Sequence, residues 1–245
     1  DKVIEDDYDD RSFYDTPDKN DCHGENEANR LPRILWHALQ GRLMDRIAAV
    51  RASAATSLEC VVSEIQMGSE KSWHLSHYFN DSDAERLLTA LRKRAIKDET
   101  ATVRKAAVLA LTKVLLVQKE KLSIHYVSVI CELCQDSSIL TRRAAAEALT
   151  TLLEACATNE NNANKNILDE DTYDIRLIEE AWSTCVLPMV LDEETSMKAR
   201  NAFHKVVILP IVEMEEFEHG QKQEVAWRIL ANVGNLTGQQ GSSKS

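Results

Sequence analysis

Apolar residues recur along this chain at steps of three and four, in stripes of helical length separated by short polar breaks. The first stripe runs through LPRILWHALQGRLM, which sets Leu31, Ile34, Leu35, Ala38, Leu39 and Met44 near one face. A second helix is predicted past Asp45, through Val50, Ala54, Leu58, Val61 and Ile65. After a polar break over 67–83, Leu87, Leu88, Leu91 and Ala95 form the next stripe, and Val103, Ala107, Leu111, Val114 and Leu115 its partner. The pattern returns in Ile124, Val127, Ile130, Cys131 and Cys134, paired with Ala144, Ala145, Leu149, Leu152 and Leu153. An Asn-rich insertion, TNENNANKN, then predicts a loop. Beyond it Ile175, Ile178, Ala181, Trp182, Val186, Val190 and Leu191 mark a helix that Pro188 should kink or end. Two more helices are predicted near 195–217, where Pro210 interrupts, and 221–233. Alternating strand-like runs are scarce, so the expected fold is all-α: a solenoid over 30–237 with loops near 67–83 and 158–172. Residues 1–29 read as an acidic tail, disordered or partner-docking, in which Tyr8, Phe13 and Tyr14 are candidate anchors; 238–245 read as a flexible end.

The stripes repeat internally. Three segments align without gaps: DRIAAVRASAATSL (45–58), DETATVRKAAVLAL (98–111) and DSSILTRRAAAEAL (136–149). Each opens on Asp (Asp45, Asp98, Asp136), with Val or Thr five residues on and Arg directly after it (Arg51, Arg104, Arg142). Ala follows three residues later, and Leu four after that. A weaker fourth copy spans 192–207, with Lys198 or Arg200 in the basic place. The chemistry of each position is local. A carboxylate ahead of a helix caps free amide N–H groups, and apolar residues four apart share a helix face. Ala admits close helix approach, and Arg is placed to bond the Asp of its own or an adjacent repeat. One helix pair cannot bury its stripe alone, so copies stack.

Composition agrees. Of 245 residues, 44% are hydrophobic and 28% charged, with only 7 Gly and 4 Pro, which suits helices and argues against a sandwich or barrel. No secretory signal and no apolar run long enough to cross a membrane appears, so secretion and insertion are not expected. The chain reads as a piece of a longer polypeptide. Cys60, Cys131, Cys156 and Cys185 sit in apolar helical patterns as small hydrophobes, and the expected compartment is reducing and intracellular. The net charge of −11 divides unevenly. Residues 1–27 hold eleven acids against three bases, leaving 29 acids and 26 bases for a nearly neutral body.

The D-x4-VR-x2-A-x3-L signature resembles HEAT repeats. The order of segments, LLTALRKRAIKDETATVRKAAVLALTKVLL, ICELCQDSSILTRRAAAEALTTLLEA and IEEAWSTCVLPMVLDEETSMKARNAF, resembles the HEAT region of the CAP-D-type non-SMC subunit of condensin II. The stretch AW-x4-VLPMVLDEE (181–194) and a late AWRIL (226–230) are its most telling parts. The resemblance implies a nuclear, chromosome-associated subunit that binds a kleisin and double-stranded DNA, while SMC subunits hydrolyse ATP. The competing reading is a HEAT adaptor that binds only protein peptides.

One stretch, 86–121, carries ten bases against three acids. Arg92, Lys93, Arg94 and Lys97 close one helix, and Arg104 and Lys105 open its partner. With Arg142 and Arg143 of the next repeat they are candidates for a phosphate-holding ridge; otherwise they form a solvated face, with Arg104 and Arg142 bonded to Asp inside the solenoid. Cys131-x-x-Cys134 has no second pair at metal-finger spacing and reads as buried thiols. His74 and His77, near Trp73, Tyr78 and Phe79, read as a packed loop. Glu193 and Glu194 read as helix-start charges. No phosphate loop, HExxH or nucleophile elbow occurs, so no catalytic residue, metal, cofactor or small-molecule substrate is expected.

Overall fold

The computed structural model describes residues 36–66, 81–118, 122–159, 170–212 and 220–241. The tail at 1–29, the loop with His74 and His77, and most of the Asn-rich insertion lie outside the described residues. Among those described, every regular element is helical. They are α1 (residues 36–42), α2 (Ala48–Gln66), α3 (Asp81–Lys97), α4 (Ala101–Val117), α5 (Ile124–Leu133), α6 (Ile139–Asn159) and α7 (Glu170–Cys185). A 3-10 turn (Leu187–Val190), α8 (Ser196–Phe203), a π turn (His204–Ile208), α9 (Leu209–Val212) and α10 (Gly220–Gly241) follow.

The helices form two layers. In one, α2, α4, α6 and α8 stack in order; in the other, α3, α5, α7 and α10 do. Each pair α3/α4 and α5/α6 closes across its own turn. The α2–α4 contact is the most extensive, because Ala54 and Ala55 meet a helix that carries Ala106, Ala107 and Ala110, and small side chains let backbones approach. Helix α4 is covered on several sides, and ten of its residues are buried, so its sequence is apolar almost all round. The core continues through Leu87, Leu91, Leu111, Ile130, Leu149 and Leu152 to Trp182, all fully buried or nearly so. The Trp182 indole N–H donates to Thr150 Oγ1 at 3.0 Å, and that hydroxyl donates to the Ala146 carbonyl at 2.7 Å.

Several expectations shift. Ala38 is exposed, Trp36 in the first helix and Leu43 just past its end are buried, and Leu31, Ile34 and Leu35 lie outside the described residues. Ile124 (61% exposed) and Leu191 (91%) stand outside the core, each at the end of a helical element. Cys60 is also exposed rather than packed. The break before α3 ends earlier than 83, and α6 runs two residues into the Asn-rich insertion. Helix α7 ends at Cys185, and the 3-10 turn that follows takes Pro188 in its opening positions, where the missing N–H has no partner to lose. Pro210 does not break its helix. Lacking an N–H for the Val206 carbonyl, it is preceded by a wider π turn that carries the helix through. The final helix reaches Gly241, into the segment that composition marks as a flexible end, because each residue added to a formed helix gains a hydrogen bond.

Candidate functional site

The turns between paired helices are built alike four times. Asp45 accepts the Ile47 amide at 2.9 Å, Asp98 that of Thr100 at 3.0 Å, Asp136 that of Ser138 at 2.7 Å and Asp192 that of Glu194 at 3.0 Å. Each carboxylate satisfies an amide at the helix entrance, where no intrahelical acceptor exists.

The arginines join these turns into a ladder. Arg51 grips Asp98 with Nε at 2.7 Å and a terminal nitrogen at 2.9 Å. Arg104 grips Asp136 in the same two-pronged way, at 2.8 and 2.9 Å. Each arginine also donates backward to the main chain of its own turn: Arg51 to the Asp45 carbonyl at 2.9 Å, Arg104 to that of Asp98 at 2.8 Å and Arg142 to that of Asp136 at 3.1 Å. The Arg therefore bonds the carboxylate of the following repeat and the backbone of its own. The third rung is looser. Arg142 reaches Asp192 at only 3.5 Å and takes Glu194 at 2.6 Å, while its Nε finds no acceptor among the described residues. Here a longer interval and the 3-10 turn separate the copies. The fourth basic position, Lys198, pairs back to Glu147 at 2.9 Å.

Burial alone would raise the carboxyls of Asp98 and Asp136. The guanidinium bonds from Arg51 and Arg104, with the capped amides of Thr100 and Ser138, outweigh it and hold both below the usual range. Asp45 and Asp192 are lowered first by the amides they cap, at Ile47 and Glu194.

The predicted phosphate ridge is thereby thinned. Arg104 is committed to Asp136 and Arg142 to the next turn, so neither offers a free head to a ligand. Arg143 donates to the Glu194 carbonyl, and Arg94 lies 3.7 Å from Asp98 and against Met44 Sδ. Lys93, Lys97 and Lys105 remain exposed and Arg92 half-buried. The basic end of the turn row is extended by two residues that lay before the counted stretch, Arg42 and Arg46, both exposed. Glu193 and Glu194 make the opposite end of the row acidic. Glu147–Lys198 ties α6 to α8 and Glu154–Lys205 (2.7 Å) ties α6 to the π turn, pairs more than 50 residues apart that no local pattern announces.

Cys134 is buried, and Cys131 and Cys185 are half-buried. No cluster of His, Cys, Asp and Glu arranged to hold a metal occurs among the described residues, and none of their helices is long and apolar enough to cross a membrane.

The HEAT repeat family profile matches residues 127–156, which hold most of α5 and α6. Over 152 residues, 61% of the chain, the sequence is 30% identical to condensin-2 complex subunit D3-L of Xenopus laevis. Over 178 residues, 70% of the chain, it is 29% identical to condensin-2 complex subunit CAP-D3 of Arabidopsis thaliana. The matched stretch spans 9% and 12% of those relatives' lengths. No solved structure matches. The chain is an all-α helical-repeat solenoid that matches the HEAT repeat at 127–156 and is similar along most of its length to two D3-type subunits of condensin-2.

Proposed function

We propose that this solenoid is a non-catalytic scaffold segment of a chromosome-condensing SMC complex, acting in the nucleus on chromosomes. It binds a kleisin subunit and double-stranded DNA, while SMC subunits supply ATP hydrolysis. The observation that carries this reading is the similarity to two condensin-2 D3 subunits across most of the chain. The Asp–Arg ladder supports it physically, since a row of turns held in fixed register presents a rigid edge to a long partner. Phosphates meet the edge formed by Arg92, Lys93, Lys97 and Lys105, with Arg46 beside it.

A triple variant, Arg92→Glu, Lys93→Glu and Lys97→Glu, should weaken binding to a DNA duplex and flatten its dependence on salt by about one unit of slope per cation lost. Gel shifts at two salt concentrations read both, and unchanged shifts would remove DNA from the proposal. Pull-down of kleisin and SMC subunits by the same protein tests the scaffold role separately. A peptide-only adaptor is the second reading. It is favoured by the commitment of Arg94, Arg104 and Arg143 to bonds within the solenoid, and protein capture without a DNA shift would select it.

A further inference from the structure

The fourth helix pair, α7 and α8, is fastened to the third, α5 and α6, unequally on its two sides. On one side α7 and α10 both pack against α6. Trp182 of α7 is fully buried, with its indole N–H bonded to Thr150 of α6. Arg228 of α10 grips Glu179 of α7, a buried carboxylate, at 2.6 and 3.0 Å, which locks those two helices together. On the other side α8 buries little: Ala199 alone among its residues is buried, whereas α4 buries ten, and the π turn adds Val206 and Val207. The ties there are polar and open to water. Arg142 meets Glu194, Arg143 donates to the Glu194 carbonyl, Lys198 meets Glu147 and Lys205 meets Glu154. The side chains of Glu194, Lys198, Glu147 and Lys205 are 60, 51, 52 and 62% exposed, whereas those of Asp98 and Asp136 in the first two rungs are 0 and 11%. Both flanks of α8 also leave α geometry, in the 3-10 turn at Leu187–Val190 and the π turn at His204–Ile208, and such departures often mark a hinge.

We propose that this junction is a salt-sensitive joint, at which the fourth repeat pivots on its α7 side and opens between α6 and α8. Water and ions reach the pairs on the α8 side, so dissolved salt screens them and competes for their charges. The Arg51–Asp98 and Arg104–Asp136 rungs are shielded from solvent and keep their grip, because buried pairs are screened far less. Burial of Trp182 holds at any ionic strength, since an apolar contact carries no charge to screen. Raising the salt therefore loosens one side of one junction and leaves the rest of the stack in register. Arg142 is suited to the change. Its Nη2 lies 2.6 Å from Glu194 and 3.5 Å from Asp192, so a second carboxylate is within reach when the first moves off. The turn at Asp192, Glu193 and Glu194 travels with α8, so the joint sets how far the acidic end of the row lies from its basic end.

Distances between spin labels test the joint in the full chain, with the labels carried on ketone-bearing residues so that the native cysteines stay in place. A pair at Ser53 and Leu140 spans the first two rungs, and a pair at Thr102 and Asn201 spans the second rung and the joint; all four positions are exposed. Electron–electron double resonance at about 0.1 M and about 1 M salt, between which the Debye length falls from about 10 Å to about 3 Å, reads both. The Thr102–Asn201 pair should lose its narrow low-salt peak and shift to longer distance, while the Ser53–Leu140 pair holds. Glu194→Ala, Lys198→Ala and Lys205→Ala combined should give the shifted distribution already at low salt. A Thr102–Asn201 distribution that stays in place or shortens, or a change shared by both pairs, would overturn the joint. So would a parallel loss of helical circular dichroism, or a triple variant that keeps the low-salt peak.

Discussion

Removing the carboxylate of Asp98 should damage this protein far more than removing that of Asp45, although the two open equivalent turns. Asp98 is 5% exposed and accepts three hydrogen bonds, two from Arg51 and one from the Thr100 amide. In Asp98→Ala the Arg51 head, whose side chain is 13% exposed, loses its carboxylate, and Arg94 loses the charge at 3.7 Å. Stranding one member of such a buried pair costs about 3–5 kcal/mol, and the lost helix cap contributes about 1 kcal/mol. Against a total stability of about 5–15 kcal/mol, that is a large fraction. Among the described residues the ion pair of Asp45 is with Arg42, whose side chain is 66% exposed, so water replaces most of what Asp45→Ala removes. Urea unfolding followed by far-UV circular dichroism reads the difference, and amide exchange in the first turn of α4 localises it, since a solenoid need not unfold in one step. Adding Arg51→Leu to Asp98→Ala should recover part of the loss, because no cation is then left stranded, with a coupling of about 1–3 kcal/mol. Equal midpoints for the two aspartate variants, or no coupling between Arg51 and Asp98, would refute the ladder as a source of stability.

Stability should also fall in acid through the same carboxylates. Asp98 and Asp136 have folded-state values below the ordinary carboxyl at about 3.9. Their contribution is complete above that pH and is lost as pH falls through the lowered values; Asp98→Asn and Asp136→Asn should each shrink this acid limb in thermal melts. Trp182→Ala should cost about 3–5 kcal/mol by opening a cavity, and Trp182→Phe about 1–2 kcal/mol by removing the bond to Thr150; chemical denaturation separates the two. Lys198→Glu and Glu147→Lys, at a pair with both side chains about half exposed, should each destabilise by less than about 1 kcal/mol, and the double reversal should restore the wild-type midpoint.

Much of this architecture was written in short-range pattern. Three- and four-residue spacing fixes which faces of α3, α4 and α6 are apolar, because helix geometry alone places such residues together. The Asp ahead of each second helix was legible for the same reason, as a cap needs only the residues that follow it. What the repeat left open was the reach of the arginine. Its own turn and its neighbour's lie equally within the pattern, and only stacking brings the Arg51 head to Asp98 and the Arg104 head to Asp136. That long-range choice also withdraws Arg104 from the cationic ridge that a linear count of charges suggested. Tertiary structure likewise decided that Glu147 meets Lys198 and Glu154 meets Lys205, since each depends on a neighbour more than 50 residues away. Sequence alone determined the repeating unit, whose causes act within one turn of helix; the way the units interlock was decided by packing.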